Sequence, residues 1–223
     1  MCAVLLAGCQ FPRDVDGTLA KVRGGEIRAG IVPNEPWVTL DGAEPGGVEV
    51  ELLEEFARAQ DAEIRWVRGA ESELIEALEG GQLDVVIGGL TRDSAHQQMV
   101  TLTRPYATTE AIFAAPRGVD VPDDLDSVRV GVEAHTPVAA ELERQTDAEP
   151  VPLDSIEGFD GPVVVEDHLA DDLGLVRTNR SLLEEEHVFA VTHGENAFLT
   201  TLERFLLDRG REAIRKLDRE DAP

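Results

Sequence analysis

Cysteine occurs at positions 2 and 9 of this 223-residue chain and nowhere else. A disulfide within the folded body is therefore excluded, and so is a cysteine-based zinc site. Lysine is just as scarce, with Lys21 and Lys216 standing beside 18 arginines. Bases total 20 against 45 acids, a formal charge of −25. A field of that sign repels phosphate backbones, which excludes nucleic acid as a partner, and a basic surface for anionic lipid is equally lacking. No apolar run reaches the ~20 residues that cross a bilayer. Motifs of catalysis are missing too: there is no Walker loop, no Gly-x-Gly-x-x-Gly, no His-Glu-x-x-His and no Gly-x-Ser-x-Gly. The chain is read as a non-enzyme that carries no cofactor and no resident metal.

What is present is material for a core, since 42% of the residues are hydrophobic, and it falls into short apolar runs between amphipathic stretches. Strands are expected at Ile27–Val32, Glu63–Val67, Asp84–Ile87, Val128–Val132, Val163–Val165 and Val188–Thr192. Helices are expected over Glu49–Gln60, with Leu52, Leu53, Phe56 and Ala57 on one stripe, and over Ser72–Leu78, stopped by Gly80-Gly81. Thr136-Pro137 is a hydroxyl cap followed by proline at the first helical position, opening a helix over Val138–Gln145. A last helix carries Phe198, Leu202, Phe205 and Leu206 up to Gly210, with a short helix after it. Strand–helix alternation at this density predicts an α/β fold with mostly parallel sheets. The surplus acids belong chiefly on solvated helix faces, in keeping with a saline or extracytoplasmic setting; a cation-attracting cleft is the alternative.

Leu6-Ala7-Gly8-Cys9 resembles the lipobox of bacterial lipoproteins, which implies a lipid on Cys9. Residues 1–9 are then part of a signal, 10–23 a polar tether, and the mature protein is extracytoplasmic and anchored to the membrane through that lipid.

Strand Asp84–Ile87 runs into Gly88-Gly89-Leu90-Thr91 and then Val100-Thr101-Leu102-Thr103-Arg104-Pro105-Tyr106. Upstream stand Gly47-Val48-Glu49-Val50-Glu51-Leu52-Leu53-Glu54 and Ala77-Leu78-Glu79-Gly80-Gly81-Gln82-Leu83-Asp84. Downstream follow Val130-Gly131-Val132 and Val188-Phe189-Ala190-Val191-Thr192-His193-Gly194. This ordered set, over residues 24–223, resembles the family 3 extracellular solute-binding proteins, the polar-amino-acid receptors of ABC importers. The resemblance implies a two-lobed periplasmic-binding-protein-like fold. Lobe one would be 24–110 with 192–223, lobe two 115–186, and the crossing hinge strands would lie near Ala111–Ala114 and His187–Val191. It implies capture of a small polar ligand (an amino acid or related amine), handover to ABC permease subunits, and a monomer.

Carried over position by position, the resemblance gives Trp37 as an aromatic packing on ligand, with lobe-one core as its plain alternative. Leu90 and Thr91 would supply backbone and hydroxyl contacts, Thr136 a hydroxyl at a helix N-terminus, and Asp167 the acid for the ligand's amine. Three departures stand out. His96 falls where the family has a carboxylate-binding arginine, with Arg92 as a replacement if that segment is helical. His135 stands where a glycine is expected, and Leu153–Gly161 leaves no room for the usual helix. The histidines support a second reading on the same fold, a metal-ion-binding or sensor lipoprotein, in which His96, His135 and His168 with Glu35 and Asp167 hold a zinc-like ion. An enzyme resembling a dehydratase comes last.

Overall fold

The computed structural model describes residues 12–40, 42, 44–93, 98–134, 136 and 138–220. In chain order these form α1 (Thr18–Val22), β1 (Glu26–Ile31), α2 (Val48–Ala59), β2 (Glu63–Arg68), α3 (Glu71–Glu79), β3 (Val85–Ile87) and β4 (Thr101–Leu102). Next come β5 (Ala107–Pro116), β6 (Arg129–Glu133), α4 (Val138–Gln145), β7 (Glu149–Leu153) and β8 (Val163–Glu166). A 3₁₀ turn at Asp167–Leu169, β9 (Leu175–His187), β10 (Ala190–Val191) and α5 (Asn196–Glu220) complete the chain. No helix among the described residues is long and apolar enough to cross a membrane.

Two compact units result. Unit one takes the chain through Tyr106 and again over His187–Ala213, and unit two takes Ala107–Glu186 and the chain from Ile214. The chain thus passes between units at 106–107, at 186–187 and, within α5, at 213–214. Ala111–Ala114, expected near the first hinge, pair in register with Glu166–Val163 in the sheet of unit two.

Each unit is built on a five-stranded sheet, in the order β2-β1-β3-β10-β4 in unit one and β7-β6-β8-β5-β9 in unit two. Both are mixed sheets built around three parallel strands. β1 runs parallel to β2 and β3, but β10 is antiparallel to β3 and β4. Likewise β6 is parallel to β7 and β8, whereas β5 is antiparallel to β8. The parallel pairs of unit one are joined through α2 and α3, as crossover connections require. In unit one Val85, Val86 and Ile87 are wholly buried, the signature of an interior strand. In unit two, alternation sends Phe113 and Val164 into one core cluster and Ile112, Ala114, Val163 and Val165 into the other.

Three local features depart from expectation for identifiable reasons. The helix expected to stop at Gly210 runs on unbroken to Glu220. A Cβ at Gly210 would sit 2.1 Å from the Tyr106 carbonyl oxygen, so this glycine permits a close approach and does not end the helix. Residues 14–22, expected within a tether, are folded onto unit one by an exchange of caps. Asp14 Oδ1 accepts the Ala197 and Phe198 N–H groups at 2.6 and 2.9 Å, while Glu195 accepts those of Asp16 and Thr18 at 2.8 and 2.9 Å. Finally β9, a polar 13-residue strand, escapes periodicity analysis because it is an edge strand with no second buried face.

The entry to β3 is held by one ion pair. Asp84 accepts the Arg28 backbone N–H at 2.8 Å and its guanidinium at 2.6 and 3.0 Å, with Asp84 5% exposed. Asp84→Ala would strand the half-buried guanidinium, and we expect it to destabilise the chain by about 2–3 kcal/mol in urea melts. An unchanged midpoint would mean the pair is solvated in practice.

Candidate functional site

In unit one, three loops converge at the C-terminal ends of β1 and β3, where open α/β sheets place their ligands. The first is Val32–Val38. The Asn34 and Val38 backbones pair, and the Pro36 and Trp37 carbonyls receive the Val48 and Glu49 N–H groups that open α2. The second is Gly88–Thr91. Its Gly88 carbonyl accepts from Asn34 Nδ2 at 3.0 Å, and its Leu90 carbonyl from the Val188 N–H at 2.9 Å. The third is the pair of chain passages at 106–107 and 186–187, joined by a 3.1 Å bond from the Tyr106 N–H to the His187 carbonyl.

Beneath these loops lies Glu49, fully buried in the first turn of α2. Its Oε2 accepts the N–H groups of Gly88 and Gly89 at 2.6 and 3.0 Å, and its Oε1 accepts the Tyr106 hydroxyl at 2.5 Å. Burial pushes the carboxyl up to about 7 against the three hydrogen bonds, which favour its charged form. Burial, then the neighbouring carboxylate, likewise pushes Tyr106 well above the ordinary phenol. Glu49 was not singled out in the sequence as a site residue, although a signal exists. It lies three and four positions before Leu52 and Leu53, on the apolar stripe of α2, where an acid is out of place.

The anticipated unit-one residues fall as follows. Trp37 is 6% exposed, its ring 3.9 Å from the His187 ring and edge-on to Tyr106, so it is packed into unit one. Leu90 is buried at 3%. Thr91 is half-buried and bridges to His187. Arg92 is exposed, in a turn rather than a helix. His96, His135 and Cys9 lie outside the described residues, as does the three-histidine arrangement that depends on two of them. Among the described residues no group of three or more His, Cys, Asp or Glu is placed to hold a metal.

In unit two, Thr136 precedes α4, which spans the expected residues, but its hydroxyl donates to the Glu133 carbonyl at 2.8 Å. That proton is spent on the approach to the helix. No helix separates β7 from β8. Asp167 opens the 3₁₀ turn, and its carboxylate receives Arg177 Nε at 2.8 Å. A cavity of about 590 Å³ opens here, with Thr108, Thr109, Glu110, Asp167, His168 and Arg177 among its walls. Glu166 stands behind it, its Oε2 buried without a hydrogen bond and 3.9 Å from His168 Nδ1. Burial, then the Glu185 charge, pushes Glu166 up to about 7. This wall is polar, with Glu110 and Asp167 beside Arg177, and offers partners to hydroxyl and amine groups.

Comparisons with known proteins agree with this architecture. The chain is 26% identical over 114 residues to a probable histidine-binding protein of Campylobacter jejuni, covering 49% of this chain and 44% of that protein. The chain spans less than half the length of the curated relatives it matches. Among solved structures, an ancestral cationic amino acid solute-binding protein superposes with a TM-score of 0.74 at 19% identity, over 91% of this chain and 98% of that one. The L-cystine solute receptor of Neisseria gonorrhoeae, unliganded and open, gives 0.71 at 14% identity over 91% and 95%. At such identities these two likenesses establish the fold, that of the two-lobed binding proteins. With residues 27–217 matching that family, the chain belongs to the bacterial extracellular solute-binding proteins, family 3.

Proposed function

We propose that this protein is the extracytoplasmic receptor of an ABC importer for an amino acid with a cationic side chain or a related amine. The family membership over residues 27–217 carries the reading. The unit-two cavity supports a charge preference through Glu110 and Asp167, although Arg177 stands on the same wall and pairs with Asp167. The probable histidine-binding relative and a lysine-complexed structural neighbour from Wolinella succinogenes, a putative ABC-transporter binding component, point the same way. Leu90, Thr91 and Arg92 are the residues that unit one would offer a ligand, and Thr136 and Asp167 those that unit two would offer; His96 and His135 remain candidates from the sequence. Trp37 supports the loop from within. Anchoring through a lipid on Cys9 keeps the receptor beside its permease.

No bond is made or broken in this role. Ligand selects a conformation of the receptor, and the shift cannot exceed the ligand's differential affinity for the two conformations. Asp167 meets Arg177 in the present structure, so an incoming amine competes with a guanidinium for the same carboxylate.

A thermal-shift panel tests the reading. L-arginine, L-lysine or L-histidine at a hundred times its dissociation constant should add about 2.7 kcal/mol, or about 5–10 °C for a chain of this size. L-glutamate should add nothing. Stabilisation by L-glutamate alone would overturn the cationic preference, and silence across all amino acids would overturn the receptor.

A further inference from the structure

We propose that Glu49 is a positioning residue for solute binding: its buried carboxylate clamps the Gly88–Thr91 loop and ties it, through the Tyr106 hydroxyl, to the point where the chain leaves unit one. The proposal rests on the receptor reading given above, and its clamp can be tested apart from that reading.

The geometry is that of an internal anion in a backbone cradle. Gly88 and Gly89 hold φ values of 148° and 68°, the region that favours glycine. Successive N–H groups in such turns face one concavity, a shape that takes an anion. Here the anion is Glu49 Oε2, at 2.6 and 3.0 Å. The loop cannot relax on its other side, because a Cβ at Gly89 would fall 2.6 Å from Trp37 Cδ1 and one at Gly88 2.5 Å from Val32 Cβ. The next two residues are Leu90 and Thr91, so the clamp sets the direction in which they leave β3.

A purely structural role explains this poorly. A buried carboxylate costs desolvation, and an apolar or amide side chain in the first turn of α2 would avoid it. Opening α2 does not require the carboxylate either, since the Trp37 carbonyl already receives the Glu49 N–H at 3.0 Å. Among the described residues, the titratable group bonded to Glu49 is Tyr106, and His187 lies beyond the Trp37 ring stacked on it. The protonation state of Glu49 and the hold on both glycines are therefore one event.

The test uses the whole chain, with Glu49→Gln and Tyr106→Phe beside the parent. Amide proton shifts of Gly88 and Gly89 are followed by nuclear magnetic resonance from pH 5 to pH 9 without ligand. We expect both amides to move together in one titration, with a higher midpoint in Tyr106→Phe and no titration in Glu49→Gln. Affinity for L-lysine is then measured at pH 8 by calorimetry. Glu49→Gln should bind at least tenfold more weakly while melting no lower than the parent, a split that a structural defect would not give. Parental affinity in Glu49→Gln would overturn the positioning role. Glycine amides that do not titrate together in the parent would overturn the clamp, also should Glu49→Gln fail to fold, since the parent and Tyr106→Phe carry that arm. If L-lysine does not bind the parent, the receptor reading fails for that probe and the amide titration decides the clamp alone.

Discussion

Between pH 5 and pH 8 the thermal midpoint of this chain should fall, and Glu49→Gln should remove much of the fall. Glu49 ionises near 4.5 when unfolded and at about 7 when folded, chiefly through burial. Across that window the folded state therefore binds more protons than the unfolded one, and stability decreases as pH rises. The contribution is fully present below pH 4.5 and lost above about pH 7. At ~1.4 kcal/mol for each tenfold change in proton concentration, the loss is about 3 kcal/mol, or about 6–12 °C. Glu166 and Glu185, raised by burial, tilt the parent the same way, as does relief of a −25 formal charge on acidification. Glu195 is lowered, its burial outweighed by bonds from the Asp16 and Thr18 N–H groups, and loses its contribution as pH falls below the ordinary carboxylate range. The difference between parent and Glu49→Gln isolates Glu49. Parallel pH profiles for the two would show that the buried carboxylate does not titrate in this range.

Gly88→Ala should be strongly damaging to the site. Its Cβ would stand 2.5 Å from Val32 Cβ and 2.7 Å from the Val32 carbonyl oxygen. Val32 cannot withdraw cheaply, because its N–H is bonded to the Ile87 carbonyl at 3.0 Å. Backbone strain and overpacking together cost about 3–5 kcal/mol, and solute binding should fail with the loop. Gly158→Ala is the control. Its φ of 81° is also in the glycine region, yet nothing lies within 4 Å of the added Cβ, so strain alone should cost about 1–2 kcal/mol. Chemical denaturation of both variants separates the two causes. Equal losses would mean that Gly88 is not crowded in solution.

What could be read in advance followed the range over which each signal acts. The α4 helix falls on Val138–Gln145 as expected because its spacing and the preceding Thr136-Pro137 are local. The buried β3 was visible because an interior parallel strand is apolar on both faces. Gly210 misled because a glycine that ends a helix and one that admits a neighbouring carbonyl look alike until the neighbour, Tyr106, is known. The caps on α1 and α5 were illegible for a similar reason, since Asp14 and Glu195 are far apart in sequence and bond across that distance. At the candidate site the loops were legible as motifs, while the side chain that organises them was not. Glu49 belongs to an amphipathic helix rich in acids, and only its place on the inward stripe distinguishes it from Glu51 or Glu54. Asp167 was found as an acid opening a turn, but its Arg177 partner lies on β9, the strand that periodicity missed.

Calorimetric titration of the purified chain with L-arginine, L-lysine and L-histidine at neutral pH decides whether it is an amino-acid receptor. Saturable heat at one ligand per chain is expected for at least one of the three, with the ligand recovered unchanged afterwards. Absence of heat for all three across a range of temperatures, or recovery of a chemically altered ligand, would contradict the receptor reading.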